Sequence, residues 1–449
     1  MLYTDLDDIL GKVRASLEID DLAGAVATIE ALRAPDQADL FHELDDQYQA
    51  ALLPRLDPED SADILEELED EDAARLVAGL TREEAVRIID EMEPDEAADL
   101  LGELSLSDQE YVLTQLADQA EVRPLLLHPE DTAGGLMTSE FLALGRRMTA
   151  GEALAALRTW RPDAEETYDV YVVDRFGRLA GEVTMRRLLQ ADPATVLIDV
   201  VDPESVSVLV GTDQEEVARI MSRYDLVSLP VVDAQGLLVG VITIDDVLDV
   251  LEEETTEDFQ RLGASEPLDR PYLDTSVFTI FRKRIGWLLL LFITGTLTGS
   301  VLHLFEEQLD AVVALALFIP LLIGTGGNAG AQTTSTIIRA LAVDDIDRDE
   351  LLRPFVHELI VGVLLGLVMA VIAYIRAYTW DTGHAVALTV AVAIFAIVVW
   401  ANGLGSVLPI LVQKLGLDPT VVSGPAMSTL VDTTGLLIYF TIAGLLLSL

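Results

Sequence analysis

Five apolar stretches, at about 284–305, 311–341, 354–378, 385–413 and 419–447, constrain this 449-residue chain more than anything else in it. Each is long enough to cross ~30 Å of hydrocarbon at ~1.5 Å per residue. Backbone in lipid must satisfy its own hydrogen bonds, so such stretches are helices. The second half therefore reads as an all-α transmembrane domain of five helices. Arg282-Lys283-Arg284 precedes the first stretch, Arg348 and Arg353 lie between the second and third, and Lys414 lies between the fourth and fifth. The alternate loops, 306–310 and 379–384, hold no Lys or Arg. Positive charge stays inside, which puts the N-terminus in the cytosol and the C-terminus on the far side of the membrane. Arg376, near the outer end of the third stretch, is the one exception. Five spans give poor two-fold internal symmetry, so a pore through them needs two subunits, a homodimer.

Charge divides the chain at the same place. Residues 1–275 hold 65 acidic and 20 basic side chains, against 12 and 8 in residues 276–449. A net charge of −49 excludes a nucleic-acid partner, because phosphate binding needs Lys and Arg. It suits a cation. Part of the acidity is solvated or salt-adapted surface, with Lys12, Lys283 and Lys414 the only lysines beside 25 Arg. That background does not explain where particular carboxylates sit. With no cysteine, any metal site uses oxygen or the five His. The opening Met1-Leu2-Tyr3-Thr4-Asp5 has neither the basic nor the apolar region of a signal peptide, so the first half is expected to be cytosolic.

Leu56, Leu68, Leu80, Met92, Leu104 and Leu116 recur every 12 residues. Twelve residues suit a two-turn helix and a tight connection. Asp57-Pro58, Thr81 and Glu93-Pro94 supply helix starts. Stacked helices bury faces that one alone cannot, which predicts a superhelical α-solenoid over 1–130. The register makes Asp63 and Asp99 equivalent, with Asp95 one turn before Asp99 on the same face.

Beyond Ala133-Gly134-Gly135-Leu136-Met137 the pattern becomes α/β. Strands are expected at 168–173, 229–232 and 238–243, and helices at 150–159, 214–222 and 245–251. Two modules, 131–200 and 201–253, repeat one order of elements. Ser228-Leu229-Pro230-Val231-Val232-Asp233 and Gly240-Val241-Ile242-Thr243-Ile244-Asp245-Asp246 resemble the second half of a cystathionine-β-synthase-type (CBS) domain pair. Such pairs often bind adenine nucleotides, and in that family Ser/Thr-x-x-Asp holds the ribose. The resemblance puts Thr243 and Asp246 in that role and ATP among the expected ligands. The first module has Thr184 followed by Arg187 where Asp is usual.

The second apolar stretch carries Pro320 and then Gly324-Thr325-Gly326-Gly327-Asn328-Ala329-Gly330-Ala331. Four glycines in seven residues weaken a helix by roughly 1 kcal/mol each relative to Ala. Irregular backbone lining a cavity is one reading, and close packing through small residues is the other. The fifth stretch carries Leu430-Val431-Asp432-Thr433-Thr434-Gly435, with Asp432 its only carboxylate. An acid at that depth costs ~2.5–3.5 kcal/mol on insertion scales, so it faces water or a cation unless Thr433 or Thr434 satisfies it.

These two segments resemble the MgtE family of magnesium channels, and the likeness runs through essentially the whole chain in the same domain order. It implies a homodimeric, Mg²⁺-selective channel rather than an enzyme. The pore would lie between the second and fifth spans, lined at Gly324, Gly327, Asn328 and Ala331, with Asp432 selecting the ion. Ala331 departs from the family, which commonly has Asn there. The resemblance makes 254–276 a connecting, or plug, helix before a pore domain at 277–449. It assigns regulatory Mg²⁺ to Asp63, Asp95 and Asp99, to Glu215, Asp225, Asp246 and Asp249, and to Glu254, Glu257 and Asp258. Cytosolic Mg²⁺ bridging these elements would close the channel. The alternative is a CBS-regulated transporter exchanging cations for H⁺ or Na⁺, for which His303, His357, Glu358 and Arg376 are among the further ionisable groups in the spans. His357-Glu358 begins a zinc-protease motif that Val361 breaks. A sensor merely anchored by its spans would need neither Asp432 nor the glycine run.

Overall fold

The computed structural model describes residues 3–160, 169–202, 205–268, 270, 272–273, 275–343, 345–346 and 351–448. Met1, Leu2, Tyr168 at the expected strand start, and Arg348 lie outside the described residues. Two compact units form, Met1–Glu252 and Glu253–Leu449.

In the first unit, helices Pro58–Glu66, Asp70–Ala78, Arg82–Ile89, Pro94–Glu103 and Leu106–Leu113 begin every 12 residues, the period of the repeat. Local chemistry sets the starts. Asp57 and Ser105 cap their helices through side-chain oxygens, Thr81 and Glu84 form a reciprocal capping box, and Pro58 and Pro94 occupy first turns where no N–H is needed. Each helix packs on the next but one, and the buried faces (Ala62, Ile64, Leu65; Ala97, Ala98, Leu100, Leu101) join one core.

Two three-stranded sheets follow, each a parallel pair extended by an antiparallel strand. One runs Ala143–Gly145, Asp169–Val173, Leu179–Thr184 and the other Val208–Leu209, Ser228–Val232, Leu238–Thr243. The repeated order of elements is thus a repeated topology. Tyr171, fully buried, donates its hydroxyl to Ser228 Oγ at 2.8 Å and so joins the two modules.

Helix Ile244–Leu262 spans the boundary between the units. The expected separate helix over 254–276 is not found. Its acidic start continues the last helix of the second module without a break and ends at Gly263-Ala264, where Ala264 takes φ +57°. No helix-breaking residue stands between Ile244 and Leu262.

Among the described residues the second unit holds five helices long and apolar enough to span a membrane: Val277–Leu304, Val313–Ala342, Leu352–Thr379, His384–Lys414 and Gly424–Leu447. The glycine run departs from the first reading. Helix Ile319–Ala342 passes through it unbroken, with Pro320 in its first turn. The glycines serve close approach instead. A Cβ at Gly326 would lie 2.5 Å from Ile397 Cγ2 and 2.9 Å from Val431 Cγ1, and one at Gly327 would lie 3.2 Å from Ser428 Oγ, whereas Gly324 has open space. Gly326→Ala is therefore expected to destabilise the helical unit by about 1–3 kcal/mol through overpacking. Gly324→Ala should be neutral or slightly stabilising through propensity. Thermal unfolding of the two variants in detergent checks this, and equal midpoints would count against the packing.

Candidate functional site

Two sets of carboxylates stand out, one in each unit. The first lies where the solenoid meets the second α/β module. Helix Pro94–Glu103 brings Asp95, Glu96 and Asp99, helix Pro58–Glu66 brings Asp63 and Glu66, and the first turns of helix Ile244–Leu262 bring Asp245, Asp246 and Asp249. Asp95 is 7% exposed, and its Oδ1 has no hydrogen-bond partner among the described residues. Burial, then the charges of Asp246 and Glu93, hold its carboxyl well above the usual range, against a hydrogen bond from Thr138. Burial and Asp245 likewise raise Asp246, whose Oδ2 accepts from Thr243 Oγ1 at 2.7 Å and Thr243 N at 3.3 Å. Burial pushes Asp99 up to about 7, reinforced by Asp70, Glu130 and Asp246. Glu66 is raised to about 7 and Glu93 to about 8, again chiefly by burial. Asp249 is raised by burial, Asp245 and Glu252, and Glu67 by burial and Asp249.

Five expected regulatory acids, Asp63, Asp95, Asp99, Asp246 and Asp249, thus converge. Glu215 and Asp225 belong to a further element, helix Gln214–Tyr224 and its C-terminal cap. They stand at opposite ends of helix Gln214–Tyr224, ~15 Å apart along its axis, so one chain cannot hold a single ion between them. Glu66, Glu93 and Glu96 belong to the cluster and had no sequence signal beyond lying beside expected acids. Among the described residues no three His, Asp or Glu side chains are close enough to grip one bare ion. The orphaned, buried oxygen of Asp95 amid like charges nonetheless suits a cation, and an ion that keeps several waters reaches acids through them.

Stability follows from these shifts. Carboxylates raised in the folded state bind protons that the unfolded chain has released, so their contribution is complete below about pH 4 and is lost as pH rises through 7–8. In EDTA, hydrogen exchange corrected for intrinsic rates should give helices Pro58–Glu66 and Pro94–Glu103 less protection at pH 8 than at pH 5.5. Millimolar Mg²⁺ should restore it. Protection independent of both pH and Mg²⁺ would contradict the mutual repulsion.

The second set lies in the second unit. Burial raises Asp258 to about 6, helped by Asp418 and Glu254 and opposed by Arg339. Arg261 pairs with Glu257 and, at 2.7 Å, with Asp418, whose oxygens also accept from Thr420 N at 2.8 Å and Thr420 Oγ1 at 2.6 Å. The end of helix Ile244–Leu262 is thereby tied to the turn before the fifth span. A Cβ at Gly424, where that span begins, would lie 4.0 Å from Leu262 O. Asp418 was not singled out from the sequence.

Within the spans, Gly324 and Asn328 are exposed on one face of helix Ile319–Ala342. Gly327 is buried on another face, against Ser428, and Ala331 is half-buried. Asp432 is half-buried eight residues into helix Gly424–Leu447. Neither neighbouring hydroxyl satisfies it. Thr433 Oγ1 pairs with Thr298 Oγ1 at 2.9 Å, and Thr434 Oγ1 donates to Leu430 O at 2.9 Å while accepting from Trp400 Nε1 at 3.0 Å. Among the described residues Asp432 has no hydrogen-bond or ion-pair partner. Glu358, by contrast, is engaged: Thr333 Oγ1 lies 3.3 Å from its Oε2 and 2.8 Å from Asn402 Oδ1.

Family models match in the order of the architecture: the MgtE intracellular N domain at residues 32–131, the CBS domain at 133–194 and 197–253, and a divalent cation transporter domain at 319–442. The magnesium transporter MgtE of Thermus thermophilus is 48% identical over 330 residues, 73% of each chain. That of Enterococcus faecalis is 34% identical over 73% of this chain and 72% of its own. Among solved structures, the cytosolic domain of the Mg²⁺ channel MgtE in complex with ATP is 37% identical with a TM-score of 0.51, covering 54% of this chain and 99% of that one. The soluble part of a magnesium transporter is 30% identical with a TM-score of 0.50, covering 56% and 99%.

Proposed function

The chain belongs to the MgtE family of magnesium transporters, which are membrane proteins and not enzymes, and on that premise we propose that it is a Mg²⁺-selective channel closed by cytosolic Mg²⁺. One observation carries the reading: a lone carboxylate, Asp432, held within a membrane span with no partner in the protein among the described residues. In the proposed homodimer two such side chains offer about −2 on the axis, from which a monovalent cation gains roughly half the Coulomb energy of Mg²⁺. Mg²⁺ gives up water reluctantly, so the pore holds it hydrated, with Gly324 and Asn328 on the open face of the second span and Gly327 and Ala331 behind them. The N-terminus lies in the cytosol and the C-terminus outside.

Regulation uses the same ion. Regulatory Mg²⁺ sits among Asp63, Asp95, Asp99, Asp246 and Asp249, and among Glu254, Glu257 and Asp258, while Glu215 and Asp225 serve separate ions or ions shared between two copies. The proposed domains are 1–130, 131–200, 201–253, 254–276 and 277–449, the fourth beginning inside a continuous helix. ATP is proposed at the CBS pair with Thr243 and Asp246 as ribose holders. Because Asp246 also faces the acidic cluster, nucleotide and Mg²⁺ would compete for it. Mg²⁺ uptake by wild type and Asp432→Ala in liposomes tests the transport reading. Currents far above exchanger turnover separate a channel from an H⁺- or Na⁺-coupled exchanger.

A further inference from the structure

We propose that the cytosolic end of the first span binds one anionic phospholipid, with the headgroup phosphate on Arg284 and an acyl chain along Ile285 and Leu288. A cleft of about 400 Å³ lies there, lined by apolar and aromatic side chains (Tyr272, Val277, Ile280, Phe281, Ile285, Leu288) and a single cation, Arg284. Residues 277, 281, 284 and 288 form one stripe of helix Val277–Leu304, so Arg284 sits one turn above Phe281 and one turn below Leu288.

Among the described residues two of the cations there have no counterpart. Lys283 donates its ammonium to Pro267 O. Arg282 and Arg284, in contrast, have neither an ion pair nor a hydrogen bond among the described residues. Acids outnumber bases 77 to 28 along the chain, yet three cations are consecutive here and two of them remain unengaged. A guanidinium fork matches a phosphate, and juxtamembrane cations attract anionic headgroups.

The order along the helix is that of a lipid. Exposed Phe278 and Phe281, with Tyr272, occupy the aromatic level, Arg284 the headgroup level, and Leu288, Leu289 and Leu290, all exposed, the acyl level. The first span is also the least covered of the five, with 6% of its apolar window buried against 56% for the fourth. A second copy of the chain would cover the apolar stripe but supply no phosphate for Arg284. The proposal rests on the bilayer setting of this span and not on what the protein carries.

Native mass spectrometry of the full chain in neutral detergent tests it, with phosphatidylglycerol or phosphatidylcholine of the same acyl chains added. Wild type should retain one phosphatidylglycerol per chain in preference to phosphatidylcholine. Arg284→Gln and the cleft-filling Leu288→Trp should each weaken that retention about tenfold, the loss of one bidentate, charge-assisted contact or its acyl groove. Equal retention of the two lipids by wild type would overturn the proposal, as would variants that retain phosphatidylglycerol like wild type. Leu288→Cys, in a chain that otherwise has no cysteine, supplies an independent arm. An intermolecular disulfide in native membranes would mean that a second copy fills the cleft and would also overturn it. Persistence of a free thiol there supports the lipid.

Discussion

Replacing Asp246 and Asp249 together by alanine is expected to leave the proposed channel conducting at cytosolic Mg²⁺ concentrations that close the wild type, shifting half-closure at least about tenfold upward. The cluster explains the direction. Asp95 is buried with an unpartnered oxygen and feels Asp246 and Glu93 as its nearest charges. Without a cation these groups repel, so the solenoid and the second module are held together against a penalty. In the proposed gating, an ion shared between them removes the penalty and binds the compact state better than the open one, which populates it. Moving from mostly open to mostly closed takes ~5.5 kcal/mol of differential binding, more than one millimolar site supplies and within reach of several acting together. Removing two acids does not abolish the repulsion, because Glu66, Glu93, Asp95, Glu96 and Asp99 remain. It abolishes the partner across the contact. Inside-out patches exposed to rising Mg²⁺ on the cytosolic face give the closing curve directly. A double mutant that closes like wild type would mean that the ion acts elsewhere.

What could be read from the chain followed from how local each cause is. The 12-residue helix starts were legible because Pro58, Thr81 and Pro94 act within one turn of themselves. The five spans and the paired α/β modules were legible for the same reason: length, apolarity and alternation are properties of a window. The glycine run was ambiguous because its meaning lies elsewhere. Gly326 needs no side chain since Ile397 and Val431 occupy the space, and those residues are 71 and 105 positions away. Burial of acids was equally invisible. With 77 carboxylates in the chain, nothing near Glu66 or Glu93 distinguishes them from solvated neighbours until the second module covers them. Asp418 was missed because its partner, Arg261, is 157 residues distant. The continuous helix Ile244–Leu262 was divided in two because module boundaries were read from a repeat, whereas a helix ends only where its backbone is interrupted.

Substituting alanine for Asp432 is expected to have the largest effect of all, a fall in Mg²⁺ uptake of about 100-fold or more, the scale of losing a 2–3 kcal/mol charged contact with the ion. Insertion of an acid at this depth is unfavourable by ~2.5–3.5 kcal/mol, and no hydrogen bond or ion pair among the described residues offsets it. Thr433 and Thr434, the nearest hydroxyls in sequence, are committed to Thr298, Leu430 and Trp400. In the proposed channel, water and a passing divalent cation supply the compensation. Asparagine at the same position keeps the volume and removes the charge, so it should behave like alanine if charge decides. It should behave like wild type if shape decides.

The most direct measurement is Mg²⁺ entry into liposomes that hold the purified protein and an internal Mg²⁺-sensitive dye, wild type beside Asp432→Ala at matched incorporation. Rapid entry with the former and entry no faster than empty liposomes with the latter is the predicted result. A correctly incorporated Asp432→Ala protein that admits Mg²⁺ at the wild-type rate would contradict a pathway built around that carboxylate.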